Sequence, residues 1–160
     1  MTFSSRARVG CERARRGTPG RTAAALLLAG LVALPLLPGP LAADTPRFDL
    51  ELNTVEDVDG DCRITFVAHN ATGVPLSATA YDVVVFDETG VVAERLILEF
   101  GQLPDDKTRV VQFLLDRGCE RMSRLLLNGA EECRNEVGQS VSHCLDMLVT
   151  SSRVAVQFGS

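Results

Sequence analysis

Tryptophan is missing from this 160-residue chain, tyrosine occurs once, and aromatic residues make up 5% of it. Past residue 43 no run of Lys and Arg occurs either. A surface that is poor in aromatics and has no basic run cannot grip a phosphate backbone, which excludes nucleic acid as a partner. Past the same point no charge-free stretch is long enough to span a membrane. Cys-x-x-Cys, the pattern of disulfide exchange, is missing, as is the G-x-S-x-G elbow of a nucleophilic serine. Gly101 and Gly118 stand alone, so no glycine-rich phosphate cradle exists. Internal repeats and low-complexity tracts are absent, and the length suits one domain.

The formal charge of −5 hides two unlike parts. The first 43 residues hold six Arg against one acid, Glu12, whereas Asp44 onward holds 10 basic and 20 acidic residues. Residues 1–21 are Arg-rich, Ala23 to Leu37 forms an apolar centre, and small residues follow. This is the layout of a cleavable secretory signal peptide over residues 1–43, cut after Leu41-Ala42-Ala43. An uncleaved anchor helix would have to run through Gly30, Pro35, Pro38, Gly39 and Pro40, which break it. No Cys stands at the cut, against a lipoprotein. Arg15-Arg16 raises the twin-arginine route, but Gly17-Thr18-Pro19 follows where that signal prefers apolar residues, so the route stays open. The expected location is periplasmic or secreted.

Export sets the redox state. Cys11 leaves with the leader, and Cys62, Cys119, Cys133 and Cys144 remain as an even set in an oxidising compartment. Three connectivities are open. Cys133–Cys144 with Cys62–Cys119 is favoured, one closing a short loop and the other joining distant parts of the chain. On the chain-entropy model they contribute roughly 3 and 4 kcal/mol.

Strand periodicity dominates residues 44–160. Phe48 to Leu52 alternates apolar and acidic residues, and Cys62 to Ala68 alternates again. Ala78 to Phe86 turns almost continuously apolar after Asp82, as a central strand would. Asp87-Glu88-Thr89-Gly90 is a turn signal, and Val91 to Phe100 returns as a hairpin partner. A loop spans Gly101 to Lys107. Arg109 to Leu115, Met122 to Leu127 and Leu148 to Phe158 complete seven strand candidates. The polar stretch 128–147, with two Cys, reads as a disulfide-pinned excursion that carries a short helix near Ser140–Leu145. The predicted fold is all-β: an immunoglobulin-like antiparallel β-sandwich of about seven strands over residues 44–160.

The run Phe66-Val67-Ala68-His69-Asn70-Ala71-Thr72-Gly73, with Leu76, Val83 to Val92, Gly101-Gln102-Leu103-Pro104 and Val111-Gln112-Phe113, resembles the FxLYD-type immunoglobulin-like modules of bacterial envelope proteins. In that pattern a strand ends in Asn, a Gly follows, and an apolar strand ending in Phe/Tyr-Asp leads through a Gly turn to the next. The chain also resembles a group of small exported alphaproteobacterial proteins of unknown function. The likeness covers about residues 62–115 and leaves out the four Cys and the 128–147 excursion. It implies fold and envelope location and carries no catalytic residue.

Several groups of residues invite a chemical reading. Glu56-Asp57-Val58-Asp59-Gly60-Asp61 is the best ion-binding run, with Asp57, Asp59 and Asp61 as weak metal candidates. An EF-hand counted from Asp57 would need Gly at position 62 and Glu at 68, where Cys62 and Ala68 stand, so a solvated turn is the simpler reading. His143-Cys144 with Met147, and His69 elsewhere, invite comparison with blue-copper ligands. Leu145 and Asp146 occupy the gap where a His belongs, and a ligating Cys144 would leave one Cys unpaired. Ser142-His143 adjacency does not make a triad, and scattered acids do not make a carboxylate pair. Asn70-Ala71-Thr72 fits a glycosylation sequon but reads as a turn. Neither a cofactor nor a catalytic residue is therefore expected.

Val91, Val92, Leu96 and Leu98, with Val110, Val111, Phe113 and Leu115, exceed one-sided alternation. That excess reads either as a region covered on both faces, with its edge protected by the excursion, or as an exposed edge that docks an envelope partner by strand addition. The function expected is an exported non-enzymatic binding or accessory module. The alternative is a small metal-binding protein or metal-dependent hydrolase using the 56–61 acids or His143.

Overall fold

The computed structural model describes residues 45–160; the leader, the expected cut before Asp44 and Cys11 lie outside the described residues. Eight strands are found among them: β1 Arg47–Val58, β2 Asp61–Ala71, β3 Leu76–Phe86, β4 Val92–Glu99, β5 Lys107–Leu115, β6 Arg124–Asn135, β7 Leu148–Ser152 and β8 Gln157–Gly159. A one-turn helix, α1 (His143–Asp146), precedes β7. No helix among the described residues is long and apolar enough to cross a membrane.

The first two strands follow from the alternation. Phe48, Leu50 and Leu52 are buried while Asp49 and Glu51 face outward, and Cys62, Ile64, Phe66 and Ala68 line the same interior from β2. Asp59 and Gly60 join β1 to β2 with φ of 54° and 96°. Two central residues at positive φ are what a type I′ hairpin turn demands, and Asp-Gly supplies them at little cost. A bulge between Leu52 and Thr54 shifts the phase of β1, so Val55 rather than Thr54 packs on the core. The Asp87–Gly90 turn is also seen: the Asp87 carboxylate accepts hydrogen bonds from the Thr89 and Val91 amides at 2.9 Å each.

One sheet runs β5-β2-β1-β7 and the other β4-β3-β6-β8. Together they form an all-β sandwich. Its aromatic side chains meet between the sheets, Phe66 lying 5.4 Å from Phe100 and 5.2 Å from Phe158, with Tyr81 5.6 Å from Phe100. Fully burying a side chain of this size contributes about 2–3 kcal/mol of transfer free energy.

The sheets are not purely antiparallel. β1 pairs with β7, and β6 with β8, in parallel. The single last strand expected over Leu148–Phe158 is two strands in different sheets. Ser152 and Arg153 mark the break: the Ser152 hydroxyl donates to the Val156 carbonyl at 2.7 Å, and the Arg153 amide bonds back to Leu52. The fourth strand pairs with the third, whereas a constant-type immunoglobulin domain keeps it beside the fifth. Strand β6 runs on to Asn135, so the first eight residues of the expected excursion belong to a sheet. Glu131 and Glu132 are polar because that face is outward, not because the chain leaves the sheet.

Both disulfides take the favoured pairing, Cys62–Cys119 and Cys133–Cys144. The first ties the short 3₁₀ turn Cys119–Arg121 to the β1–β2 hairpin. The second ties α1 to β6.

Candidate functional site

The acidic run comes apart on the hairpin. Glu56 faces outward, 3.8 Å from Arg63 on β2. Asp57 lies opposite Cys62, and its carboxylate accepts the Cys119 amide at 2.8 Å. Asp59 occupies the turn and Asp61 opens β2. Among the described residues no three His, Cys, Asp or Glu side chains come together in a way that could hold a metal ion. Asp57 is thus a cap for the disulfide-bound turn.

The two histidines are on separate elements. His69 stands on the outer face of β2, Nδ1 3.6 Å from Asp49 and Nε2 3.7 Å from Asp106, contacts that become ion pairs only when it is protonated. His143 opens α1, and its Nδ1 is buried with no hydrogen-bond partner. Cys144 is consumed by its disulfide, so His143, Cys144 and Met147 offer no thiolate to copper.

Asn70 is fully buried. Its amide group donates to the Val74 and Leu103 carbonyls at 2.9 and 2.8 Å, while its oxygen accepts the Thr72 amide and hydroxyl at 3.1 and 2.8 Å. The sequon reading fails on access, and the turn reading holds: one side chain ties the β2–β3 connection to the β4–β5 loop.

Two polar features escaped sequence reasoning. The buried Tyr81 hydroxyl donates to the Cys144 carbonyl at 2.9 Å, and burial pushes its pKa upward. On the outer face of β3, Asp82 receives Arg95 Nε at 2.7 Å, Arg95 Nη2 at 2.6 Å and the Asn128 amide at 2.6 Å. Hydrogen bonds from Arg95 first, then Asn128, hold Asp82 below the ordinary carboxylate range, and the same pair raises Arg95. A lone carboxylate inside an apolar strand, with an arginine across the hairpin, was the available signal.

The surface left open is at the edges. β4 and β5 are the edge strands of the two sheets, and they lie on one flank, where Arg117 just after β5 meets Glu94 of β4 at 3.6 Å. There Val92 and Ile97 on β4 are 57% and 45% exposed, and Val110 and Leu114 on β5 are 63% and 56% exposed. The region is therefore not covered on both faces: Leu98 and Leu115 reach the core while their neighbours meet solvent. Nor does the excursion protect this edge, because α1 packs on β6, β1 and β7.

Fold and surface define an all-β sandwich with two apolar edge strands on one flank. The solved structure of IrmA from Escherichia coli is similar in fold, with a TM-score of 0.51 and 12% identity over 66% of this chain and 92% of that one. No family model matches the chain, and no curated protein does.

Proposed function

We propose that this chain is an exported, non-enzymatic binding or accessory module of the bacterial cell envelope, held by two disulfides, that meets an envelope protein through the β4–β5 flank. The observation that carries the reading is the exposure of Val110 and Leu114 on an edge strand, since an edge with open backbone groups and apolar side chains is a template for strand addition. Two disulfides and the Arg-rich, then apolar, first 43 residues support export. The FxLYD-like pattern of residues 62–115 supports an envelope setting. The alternative of a metal-dependent hydrolase gains nothing from the hairpin, which sends Glu56 and Asp57 to opposite faces.

The test places a photo-crosslinking residue at Val110, and at the exposed Val137 in the turn after β6 as a control off the edge strands, in cells producing the full chain. Capture of an envelope protein from Val110 but not from Val137 is expected. Equal or no capture at Val110 would sink the partner. The intact mass of the envelope fraction, alkylated with and without reduction, tests export: a chain starting at Asp44 with thiols hidden until reduction is expected. A full-length chain with reactive thiols would overturn it.

A further inference from the structure

The edge strand β4 carries a pattern that is complementary to itself. Its outer face presents Arg95, Ile97 and Glu99, and its inner face presents Leu96 and Leu98. Two copies of a strand joined antiparallel about a two-fold axis pair residue i with the residue equally far on the other side of the centre, and only same-face residues can lie opposite. Centred on Ile97, this pairing sets Arg95 against Glu99 of the second copy, Glu99 against Arg95, and Ile97 against Ile97. On the inner face it sets Leu96 against Leu98, which extends the core across the junction.

Neighbouring registers lose this match. A centre at Arg95 faces two guanidinium groups, and a centre at Glu94 faces two carboxylates. Centres at Leu96 or Leu98 put a charged residue opposite an apolar one. The Arg95 side chain is also fixed in advance, because its Nε and Nη2 atoms are held by Asp82 while the residue stays 66% exposed. A fixed donor loses less freedom when a second carboxylate arrives.

We infer that the chain forms a two-fold dimer by antiparallel β4–β4 pairing centred on Ile97, joining the β4-β3-β6-β8 sheets of two copies into one eight-stranded sheet. This rests on the β4–β5 flank being an interaction surface and goes further by naming the occupant of β4 as a second copy. The 45% exposed Ile97 finds its cover there, and the exposed Glu99 finds its counter-charge.

Sedimentation of the oxidised chain between roughly 1 µM and 1 mM should show a concentration-dependent dimer. Ile97→Asp puts two carboxylates on the axis, and Glu99→Lys turns two attractions into two repulsions; each should weaken the dimer roughly tenfold or more. Ile97 lies opposite Asp82, so Ile97→Asp also strains that pair, whereas Glu99 is exposed opposite Ala80; Glu99→Lys is therefore the variant whose circular dichroism should match the parent. Ile97→Cys should cross-link to its own copy under mild oxidation, since opposite Cα atoms in such a ladder are about 4.5–5.5 Å apart, within disulfide reach. Val110→Cys on β5 should cross-link far less. A monomer throughout the range overturns the inference, as does a dimer that survives Ile97→Asp or cross-links at Val110 in preference to Ile97. If self-association fails while photo-capture from Val110 succeeds, the envelope reading stands and only the occupant of β4 falls. The reverse result removes the envelope partner and leaves the dimer.

Discussion

Asn70 offers the sharpest test of how this sandwich is held. Asn70→Ala deletes four hydrogen bonds from a site with no access to water. Some of their partners keep a second bond: Leu103 O also accepts the Leu76 amide at 3.0 Å, and Val74 O also accepts the Thr72 hydroxyl at 3.2 Å. The Thr72 amide is left buried without its acceptor. Four bonds at about 1 kcal/mol each, weighted by those shared acceptors and by the orphaned donor, give a loss of about 4 kcal/mol. Against a total of about 5–15 kcal/mol this is a large fraction. The assay is denaturant unfolding with both disulfides intact, read as a lower midpoint at unchanged slope. Asn70→Asp is the control: it keeps the shape but turns two donors toward carbonyl oxygens into acceptors. Burial there raises the pKa of the introduced carboxyl above its unfolded value of about 3.9, so its penalty is present at neutral pH and fades as pH falls through the raised value. An alanine variant within about 1 kcal/mol of the parent would refute the reasoning and mean that the two loops are tied elsewhere.

Other outcomes follow from the same geometry. Asp82, Asp87 and Glu51 all have lowered pKa values, held by Arg95 and Asn128, by Thr89, and by Asn53 and Arg153. A lowered folded pKa stabilises above the unfolded value, so stability should hold down to about pH 4.5 and drop as pH falls through and below the ordinary values of 3.8 and 4.5, read by unfolding curves at stepped pH. Tyr81→Phe strips the donor from the buried Cys144 carbonyl and should cost about 1–2 kcal/mol in denaturant melts. Replacing Cys62 and Cys119 together by Ser should cost about 4 kcal/mol, and replacing Cys133 and Cys144 about 3 kcal/mol, compared by thermal unfolding; a reversed order would mean that strain or residual structure outweighs loop length.

Much of the fold was legible wherever one residue decides its own face. The alternation of Phe48 to Leu52 and the Asp87–Gly90 turn are local signals, the even count of four cysteines favoured two disulfides, and the structure carries each of them. Pairing between remote strands is not written in local periodicity. The parallel contacts of β7 and β8 depend on which edge is left open after β1 to β6 have paired. Likewise Glu132 looks like a loop residue until β3 supplies Ala80 as its ladder partner, and Glu131 is the extra residue of a bulge in that pairing. At the surface, the count of valines and leucines showed an apolar excess on the Val91–Leu115 segment, but only the edge positions of β4 and β5 turn that excess into exposure. The contact that Asp57 makes, with the Cys119 amide 62 residues away in sequence, is one that no local pattern announces.

The split end of the chain sets a schedule. β1 cannot complete its pairing until β7 exists, and β6 waits for β8, so each sheet gains its outer strand from the segment Leu148 to Gly159. A polypeptide that emerges from its N-terminus must hold β1 half-paired for about a hundred residues, the kind of distant closure that slows folding. A chain halted before Leu148 leaves one flank of both sheets raw at once, so β7 and β8 act as a clasp that shuts only when both strands have arrived.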